Sequence, residues 1–413
     1  MIDYPEQLNI IFNKLSEHKA TAILVGGFVR DKLLGIDSKD IDIEVYGISS
    51  FVELENILQK FGDVNSVGKS FGVCKLQYAD YDLDFSLPRV DSKISSGHTG
   101  FDVKINPNLD FKTAASRRDF TINAIGYDVK EKKFLDPFGG IDDLKNKTLR
   151  AVDKNTFIQD PLRVFRAAQF YARFELKIDK ELAVLCKEMV QKGMLKELAK
   201  ERIFEEIKKL LLKSKKPSIG FELLKKFGSD IYTKNIHVLD EITSQLTSDT
   251  NTNIVLMLAA LCYDFDETST EKFILKLSDE KEVLKRVLPL VMNHDNINKI
   301  YFDGLDDYSL YKLSSKVKIE ELLILAKAIH STKSGSNIYE AGDAVRKRAL
   351  ELHVLDKKLA PLLKGKDILA CDLEPSPKFS EILNLAYEAQ MKSEFNSREM
   401  AVKWLKKYLL THS

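Results

Sequence analysis

Two short stretches near the start of the chain hold residues whose types and spacing suit phosphate chemistry. The β-prone run Ile23-Leu24-Val25 ends at Gly26-Gly27, and a helix-like segment follows as far as Gly35. A diglycine at a strand-to-helix turn lets backbone N–H groups approach a phosphate, and the helix N-terminus favours its negative charge. Asp40-Ile41-Asp42 then opens a second β-branched run. Aspartates at i and i+2 on a strand share a face, where like charges repel unless a cation sits between them. Each feature has a plain structural reading: a tight turn for the glycines, a solvated strand edge for the aspartates. Within one strand–turn–helix–strand unit they read together as a phosphate cradle beside a twin-carboxylate Mg²⁺ site. That pairing suits nucleotidyl transfer from a triphosphate.

Two later strings add to this. Arg117-Arg118-Asp119-Phe120-Thr121-Ile122-Asn123-Ala124-Ile125 sets adjacent arginines and an acid against an apolar run. An arginine can grip a triphosphate bidentately, although an ordinary helix start with exposed charges reads equally well. In Gln159-Asp160-Pro161-Leu162-Arg163-Val164-Phe165-Arg166, Asp-Pro reads as a helix N-cap followed by proline at the first helical position. The N-cap does not explain Arg163 and Arg166, spaced i, i+3 near one helix face. Asp160 and Arg163 side by side offer an acceptor next to donors. Cytosine and adenine both present an amine beside an acceptor ring nitrogen, whereas guanine and uracil present the reverse. One Asp/Arg pair can therefore accept C and A and reject G and U.

The elements that must position these residues fall into two styles. Strand-like runs at Ala22–Val25, Ile41–Tyr46, Val73–Tyr78 and Asp82–Leu87 alternate with helical stretches over residues 1–20 and Ser49–Phe61. From about Asp160 onward only helical periodicity appears, as in Leu162–Phe174, Glu181–Val190, Arg202–Leu212, Val283–Met292 and Ile319–His330. The expected fold class is α+β: a small mixed α/β head followed by a long all-α portion. At 413 residues the chain is too long for one simple core. The expected division is 1–140, 141–215, 216–335 and 336–413. With 44% apolar and 30% charged residues, the composition is that of a soluble globular protein. No signal peptide is expected, because the first residues carry Asp3 and Glu6 and no apolar core. The run Ile254–Tyr263 is too short to span a membrane. Cys74, Cys186, Cys262 and Cys371 are scattered, which argues against a zinc site or a disulfide framework and makes the cytoplasm the default compartment. The net charge of +1 is unevenly spread. Residues 1–110 hold 11 Lys+Arg and 17 Asp+Glu, while residues 151–226 hold 18 and 11. An acidic catalytic end followed by a basic helical segment suits a polymer of phosphates lying across both.

In order, G-G-F-V-R-D with D-I-D, R-R-D-F-T-I-N-A-I, D-P-F-G-G-I-D-D-L, D-P-L-R-V-F-R-A and E-R-I-F-E-E-I resemble the motifs of the class II tRNA nucleotidyltransferases. These are the bacterial CCA-adding enzymes, grouped with the bacterial poly(A) polymerases in the DNA polymerase β superfamily. The resemblance covers about residues 21–212 well. Gly365-Lys366-Asp367 with Glu374-Pro375-Ser376-Pro377 is similar, more loosely, to the tail of some members. The family pattern implies a polymerase β-like nucleotidyltransferase head, a helical neck carrying the nucleotide template, a helical body and an RNA-binding tail. It implies triphosphate binding by Gly26, Gly27, Arg30 and Arg118, and metal ligation by Asp40 and Asp42, with Asp84 as a third carboxylate. Asp160 and Arg163 become the base template, with Arg166 nearby. The implied cofactor is Mg²⁺, and the implied partners are CTP, ATP and the tRNA 3′ end, with no membrane. The implied reaction is CCA addition; A-only or poly(A) addition stays open, and an inactive RNA-binding protein is the rival from another class. Arg89–Phe101 matches a flexible loop that CC-adding relatives lack in part. Gln159 stands where the family usually has glutamate, and Gln169 where many members have arginine. Leu258–Asp264 resembles a phosphohydrolase helix with tyrosine in place of histidine. His294-Asp295 shows no partner histidines in sequence, which implies a body without hydrolase activity.

Overall fold

A computed structural model of the full chain describes residues 2–68, 73–93, 101–231, 234–371 and 373–412. The chain packs as two compact units, residues 1–232 and 233–413. The first unit opens with α1 (Asn9–Glu17), β1 (Thr21–Val25), α2 (Gly26–Leu33), β2 (Asp40–Tyr46) and α3 (Phe51–Leu58). Strands β3 (Val64–Gly68), β4 (Val73–Tyr78), β5 (Tyr81–Ser86), β6 (Arg89–Lys93) and β7 (Phe101–Ile105) follow. Next come α4 (Phe111–Ala115), β8 (Gly126–Asp128), β9 (Lys133–Leu135), α5 (Gly140–Lys145) and α6 (Lys154–Phe157). The unit ends in helices α7 (Arg163–Arg173), α8 (Lys180–Gln191), α9 (Lys200–Lys213) and α10 (Pro217–Phe227).

Its main sheet has seven strands in the order β3-β4-β5-β2-β1-β8-β9. β2 and β5 run parallel, and their register sets Asp42 opposite Asp84 and Asp40 opposite Asp82. β1 and β2 pair antiparallel with Val25 opposite Asp42, so the end of β1 delivers Gly26 beside that carboxylate. Ile41, Ile43 and Val45 alternate into the core while Asp40 and Asp42 face out, as a half-buried strand requires. α7 packs on α9 and α10, and its Val164, Phe165, Ala167, Ala168 and Phe170 are buried, Phe170 against the Phe120 ring. The mixed head followed by helices is the expected α+β class. The sequence places one helix across residues 1–20, but the α-helix spans only Asn9–Glu17, with a 3₁₀ turn at Glu6–Leu8 after Pro5. β6 and β7 pair antiparallel. The centre of the expected flexible loop between them, residues 94–100, lies outside the described residues.

The second unit is helical: α11 (Val238–Thr243), α12 (Thr250–Cys262), α13 (Glu267–Leu277), α14 (Lys281–Asn293), α15 (Asn296–Phe302) and α16 (Asp307–Ser314). It continues with α17 (Ile319–Ser334), α18 (Glu340–Glu351), α19 (Gly365–Leu369), α20 (Lys378–Met391) and α21 (Arg398–His412). α12 is apolar all round and buried from Asn253 to Cys262, which makes it the centre of this unit. Leu363, Ile368, Ile382, Ala386, Phe395, Ala401 and Leu405 form a small core of their own near the C-terminus. Among the described residues no helix is long and apolar enough to cross a membrane.

Candidate active site

Asp40, Asp42 and Asp84 lie on the β2/β5 pair, and of the three Asp42 lines a cleft of about 470 Å³ in the first unit, with Asp84 opposite it in the register. Gly26, Gly27, Arg30, Asp42, Arg118, Asp160, Arg163 and Arg166 all line that cleft. Gly26 has φ +68°, a backbone state costly for other residues, and an added Cβ would stand 2.9 Å from an Arg118 guanidinium nitrogen and 3.1 Å from Asp42 Oδ2. Its lack of a side chain is thus what lets both Arg118 and Asp42 come close over the turn. At Gly27 a Cβ would find only ordinary contacts, the nearest at 3.5 Å. Its N–H instead donates to the Asp42 carboxylate.

The Asp42 carboxylate opens onto the cleft yet is enclosed on its other sides. This loss of solvent pushes its pKa up; Arg118 and the Gly27 N–H pull it down, while Asp84 and Asp40 push it up again. Lys75, opposite Asp84 across β4, donates to it at 3.1 Å. This is an all-oxygen, mutually repelling donor set of the kind a hard divalent cation relieves. Among the described residues no three ligating groups converge on one point.

The two arginines of the R-R-D string part company. Arg117 reaches back to Glu44, fully buried on β2, at 3.2 Å, and the Tyr46 hydroxyl also donates to Glu44, at 2.8 Å. Arg118 turns into the cleft, and its buried Nε has no hydrogen-bond partner. It is the arginine best placed to receive an anion. The string is not a helix start: it follows the short α4 and contains a 3₁₀ turn, Thr121–Asn123. The D-P-F-G-G-I-D-D-L motif buttresses that turn. Asp136 accepts from the Gly140 and Ile141 N–H groups at 2.7 and 2.9 Å, and Asp143 accepts from the Thr121 hydroxyl at 2.7 Å. Gly140 lies against the Thr121 carbonyl so closely that no Cβ would fit.

Arg30 lines the cleft but is only 4% exposed. It is held by Asp31 at 2.7 Å and by Asn123 Oδ1 at 2.6 Å, over the rings of Phe170 and Phe174. It joins α2 to α7 and gives the cleft positive charge more than free donors. Arg166 is similarly occupied: Asp119 accepts from its Nε at 2.7 Å, and Glu206 lies 3.7 Å away. Arg163 donates to the Thr156 and Arg117 carbonyls at 3.0 and 2.6 Å, which fixes its plane and leaves further N–H groups for a ligand. Asp160 is not the N-cap of α7, whose first residue is Arg163 and whose N-cap is Leu162. One Asp160 oxygen accepts from the Leu162 N–H at 3.2 Å, and the other pairs with Arg202 at 3.3 Å.

Sequence spacing misses Asp119, Asn123 and Arg202, which also line the cleft. A signal existed for one of them. Arg202 and Glu206 stand i, i+4 on α9, and each meets a residue of the D-P-L-R-V-F-R string. Gln169 is buried at 2% exposure and does not line the cleft, and neither does Gln159. In the second unit, His294 and Asp295 share a hollow of about 220 Å³ with His330, a partner that sequence spacing does not reveal. The Tyr263 ring edges onto His294 with centroids 5.7 Å apart.

Residues 22–150 match the Poly A polymerase head domain, and residues 175–229 match the Probable RNA and SrmB- binding site of polymerase A. The chain is 34% identical over 280 residues to a Multifunctional CCA protein of Mannheimia succiniciproducens, covering 61% of this chain and 64% of that one. It is 35% identical over 209 residues to a CCA-adding enzyme of Marinobacter nauticus, covering 50% and 53%. The chain thus spans about half to just under two thirds of the length of these relatives. Its fold is similar to that of the Bacillus stearothermophilus CCA-adding enzyme in complex with CTP (TM-score 0.73, 21% identity, 99% of each chain). It is also similar to that of the Thermotoga maritima CCA-adding enzyme complexed with tRNA_CCA (TM-score 0.66, 20% identity, 98% and 96%). Residues 22–150 thus match a Poly A polymerase head domain, and the chain as a whole is similar in fold to the CCA-adding enzymes.

Proposed function

We propose that the chain adds C and A nucleotides to the 3′ end of tRNA from CTP and ATP, releasing pyrophosphate. One observation carries the reading. Asp42, with Asp84 opposite it on the neighbouring strand, the Gly26 turn with Arg118, and the Asp160/Arg163 pair meet at one cleft of nucleotide size, which Asp42, Gly26, Arg118, Asp160 and Arg163 line. Asp40 and Asp42 are the residues that would hold Mg²⁺, with Asp84 beside them. Bound there, Mg²⁺ would polarise the phosphoryl oxygens and lower the pKa of the attacking hydroxyl. Arg118 would hold the triphosphate against the α2 N-terminus, whose approach the glycines keep open. Asp84 would take the proton of the RNA 3′-hydroxyl. Asp160 would accept the base amine, while Arg163, held flat by two carbonyls, would donate to the ring nitrogen. Arg30, Asp119 and Arg166 would keep α7 in register with the head, so that base and phosphate are held by one rigid frame. Residues 1–140 would act as head, 141–215 as neck, 216–335 as body and 336–413 as an RNA-holding tail. The cytoplasm, where tRNA is processed, would be the compartment.

The test is end-labelling of tRNA transcripts that stop before CCA, after CC, or after CCA, with CTP and ATP supplied separately and together. Mg²⁺-dependent addition of two C and one A to the shortest transcript is expected. Addition only after CC would assign A-only activity, repeated A addition a poly(A) activity, and no incorporation would refute the proposal.

A further inference from the structure

β2 carries a third acid beyond the two aspartates. Asp40, Asp42 and Glu44 follow one another at i, i+2 spacing, so all three belong to one face of the strand. Asp42 opens onto the cleft, but Glu44 is 0% exposed, and neither Glu44 nor Arg117 lines the cleft. A carboxylate so buried is costly unless it is paired and hydrogen-bonded. Both of its oxygens are engaged. Oε1 accepts from the Arg117 guanidinium at 3.2 Å, and Oε2 accepts from the Tyr46 hydroxyl at 2.8 Å. Burial, and next the Glu44 charge, push the Tyr46 pKa up, so this hydroxyl keeps its proton and stays a donor. Arg117 has two further links. Its carbonyl accepts from Arg163 at 2.6 Å, one of the two bonds that fix the plane of that guanidinium. The next residue along, Arg118, turns into the cleft. Its guanidinium nitrogen and Asp42 Oδ2 lie 2.9 and 3.1 Å from the point where a Gly26 Cβ would stand. Two adjacent residues therefore face the triphosphate side with one side chain and the base side with one carbonyl, and Glu44 anchors them to the strand that bears Asp42.

We infer that Glu44 is a positioning residue of the nucleotide site: through Arg117 it holds Arg163 and Arg118 at a set distance from the Asp42 strand. The inference rests on the reading that the cleft takes CTP and ATP. Glu44 touches no nucleotide and acts only through the arginine it holds. Placement of this kind matters, because a shift of about 1 Å in a positioning group can cost on the order of a hundredfold. A plain structural reading makes the Glu44–Arg117 pair a clasp between the R-R-D string and the sheet. That reading predicts lower stability with unaltered nucleotide preference.

Two variants of the full chain separate positioning from stability. Glu44→Met removes the acceptor from Arg117. Glu44→Met/Arg117→Met puts an apolar pair in place of the buried ion pair, an exchange that is often neutral or stabilising, so folding should survive. Affinities for CTP and UTP are measured with Mg²⁺ and without RNA, so that no transfer occurs, beside thermal stability. Both variants should bind CTP about tenfold or more weakly, with UTP affected less, so that the preference for CTP narrows. A double variant that matches the unaltered chain in CTP affinity and preference would overturn the inference and leave the pair as a clasp. An equal loss for CTP and UTP would overturn it too, because Arg163 would then keep its place without Glu44. If the unaltered chain prefers CTP yet transfers nothing to tRNA, the transfer reading fails, while a narrowed preference in both variants still supports the role of Glu44.

Discussion

Replacing Asp119 with Asn should destabilise the first unit through one ion pair that joins the R-R-D string to α7. Asp119 is 7% exposed and accepts from Arg166 Nε at 2.7 Å, from Asn123 at 2.9 Å and from the Phe120 N–H at 2.8 Å. Breaking a buried pair typically costs about 3–5 kcal/mol. The Arg166 side chain is 31% exposed and keeps Glu206 nearby, so a discounted cost of about 2–3 kcal/mol is expected. For a unit of this size that lowers Tm by roughly 5–10 °C. Burial alone would push the Asp119 pKa up, but Arg166, Asn123 and Arg163 outweigh it and hold it below the ordinary carboxylate range. A depressed folded pKa means the stabilisation is complete above the unfolded value, about 3.9, and disappears as pH falls through the folded one. The penalty of the substitution should therefore be full and flat from pH 8 to 5 and shrink below about pH 4. Far-UV circular dichroism melts across pH provide the assay. A double-mutant cycle with Arg166→Met should give a coupling of about 1–3 kcal/mol. Unchanged Tm at pH 7, or a penalty that persists undiminished at pH 3, would refute the reasoning.

Asp42→Asn should reduce nucleotide transfer by at least about a thousandfold while leaving Tm at pH 7 unchanged or higher; residual activity near normal would contradict the metal assignment. The sign follows from its raised pKa, by which ionised Asp42 opposes folding above its unfolded pKa and ceases to do so as pH drops below it. Gly26→Ala should raise the KM for CTP more than Gly27→Ala, because only Gly26 combines φ +68° with a Cβ position 2.9 Å from Arg118; equal effects in a CTP titration would oppose this. Asp84→Asn should lower kcat with little change in CTP affinity, and a matching loss of affinity would place Asp84 in binding instead.

What the sequence shows follows periodicity and local chemistry. Val73–Tyr78 forms a strand over its full expected span, and α3 begins where Ser50 accepts from the Glu53 N–H. The alternation of Asp40 and Asp42 with Ile41 and Ile43 is legible from residue order, because a strand's period of two assigns each to its face. What stayed hidden lies across long sequence separations. Asp160 looks like an N-cap because Pro161 follows it, yet its second oxygen goes to Arg202, 42 positions on. Arg30 reads as a free triphosphate ligand and Arg166 as a free neighbour of the base template, but Asp31, Asn123, Asp119 and Glu206 occupy them. Of the two arginines in the R-R-D string, spacing could not tell which one faces the cleft. Buried Glu44 decides it by taking Arg117.

The most direct measurement is the relative kcat/KM for CTP, ATP, UTP and GTP on a tRNA transcript, in the unaltered chain and in Asp160→Ala and Arg163→Ala. Mispairing a donor with a donor costs a few kcal/mol, so the unaltered chain should favour C and A by roughly a hundredfold or more. Both variants should lose most of that preference, whatever happens to their thermal stability. Preference for CTP and ATP that persists in both variants would contradict the account that protein side chains serve as the template.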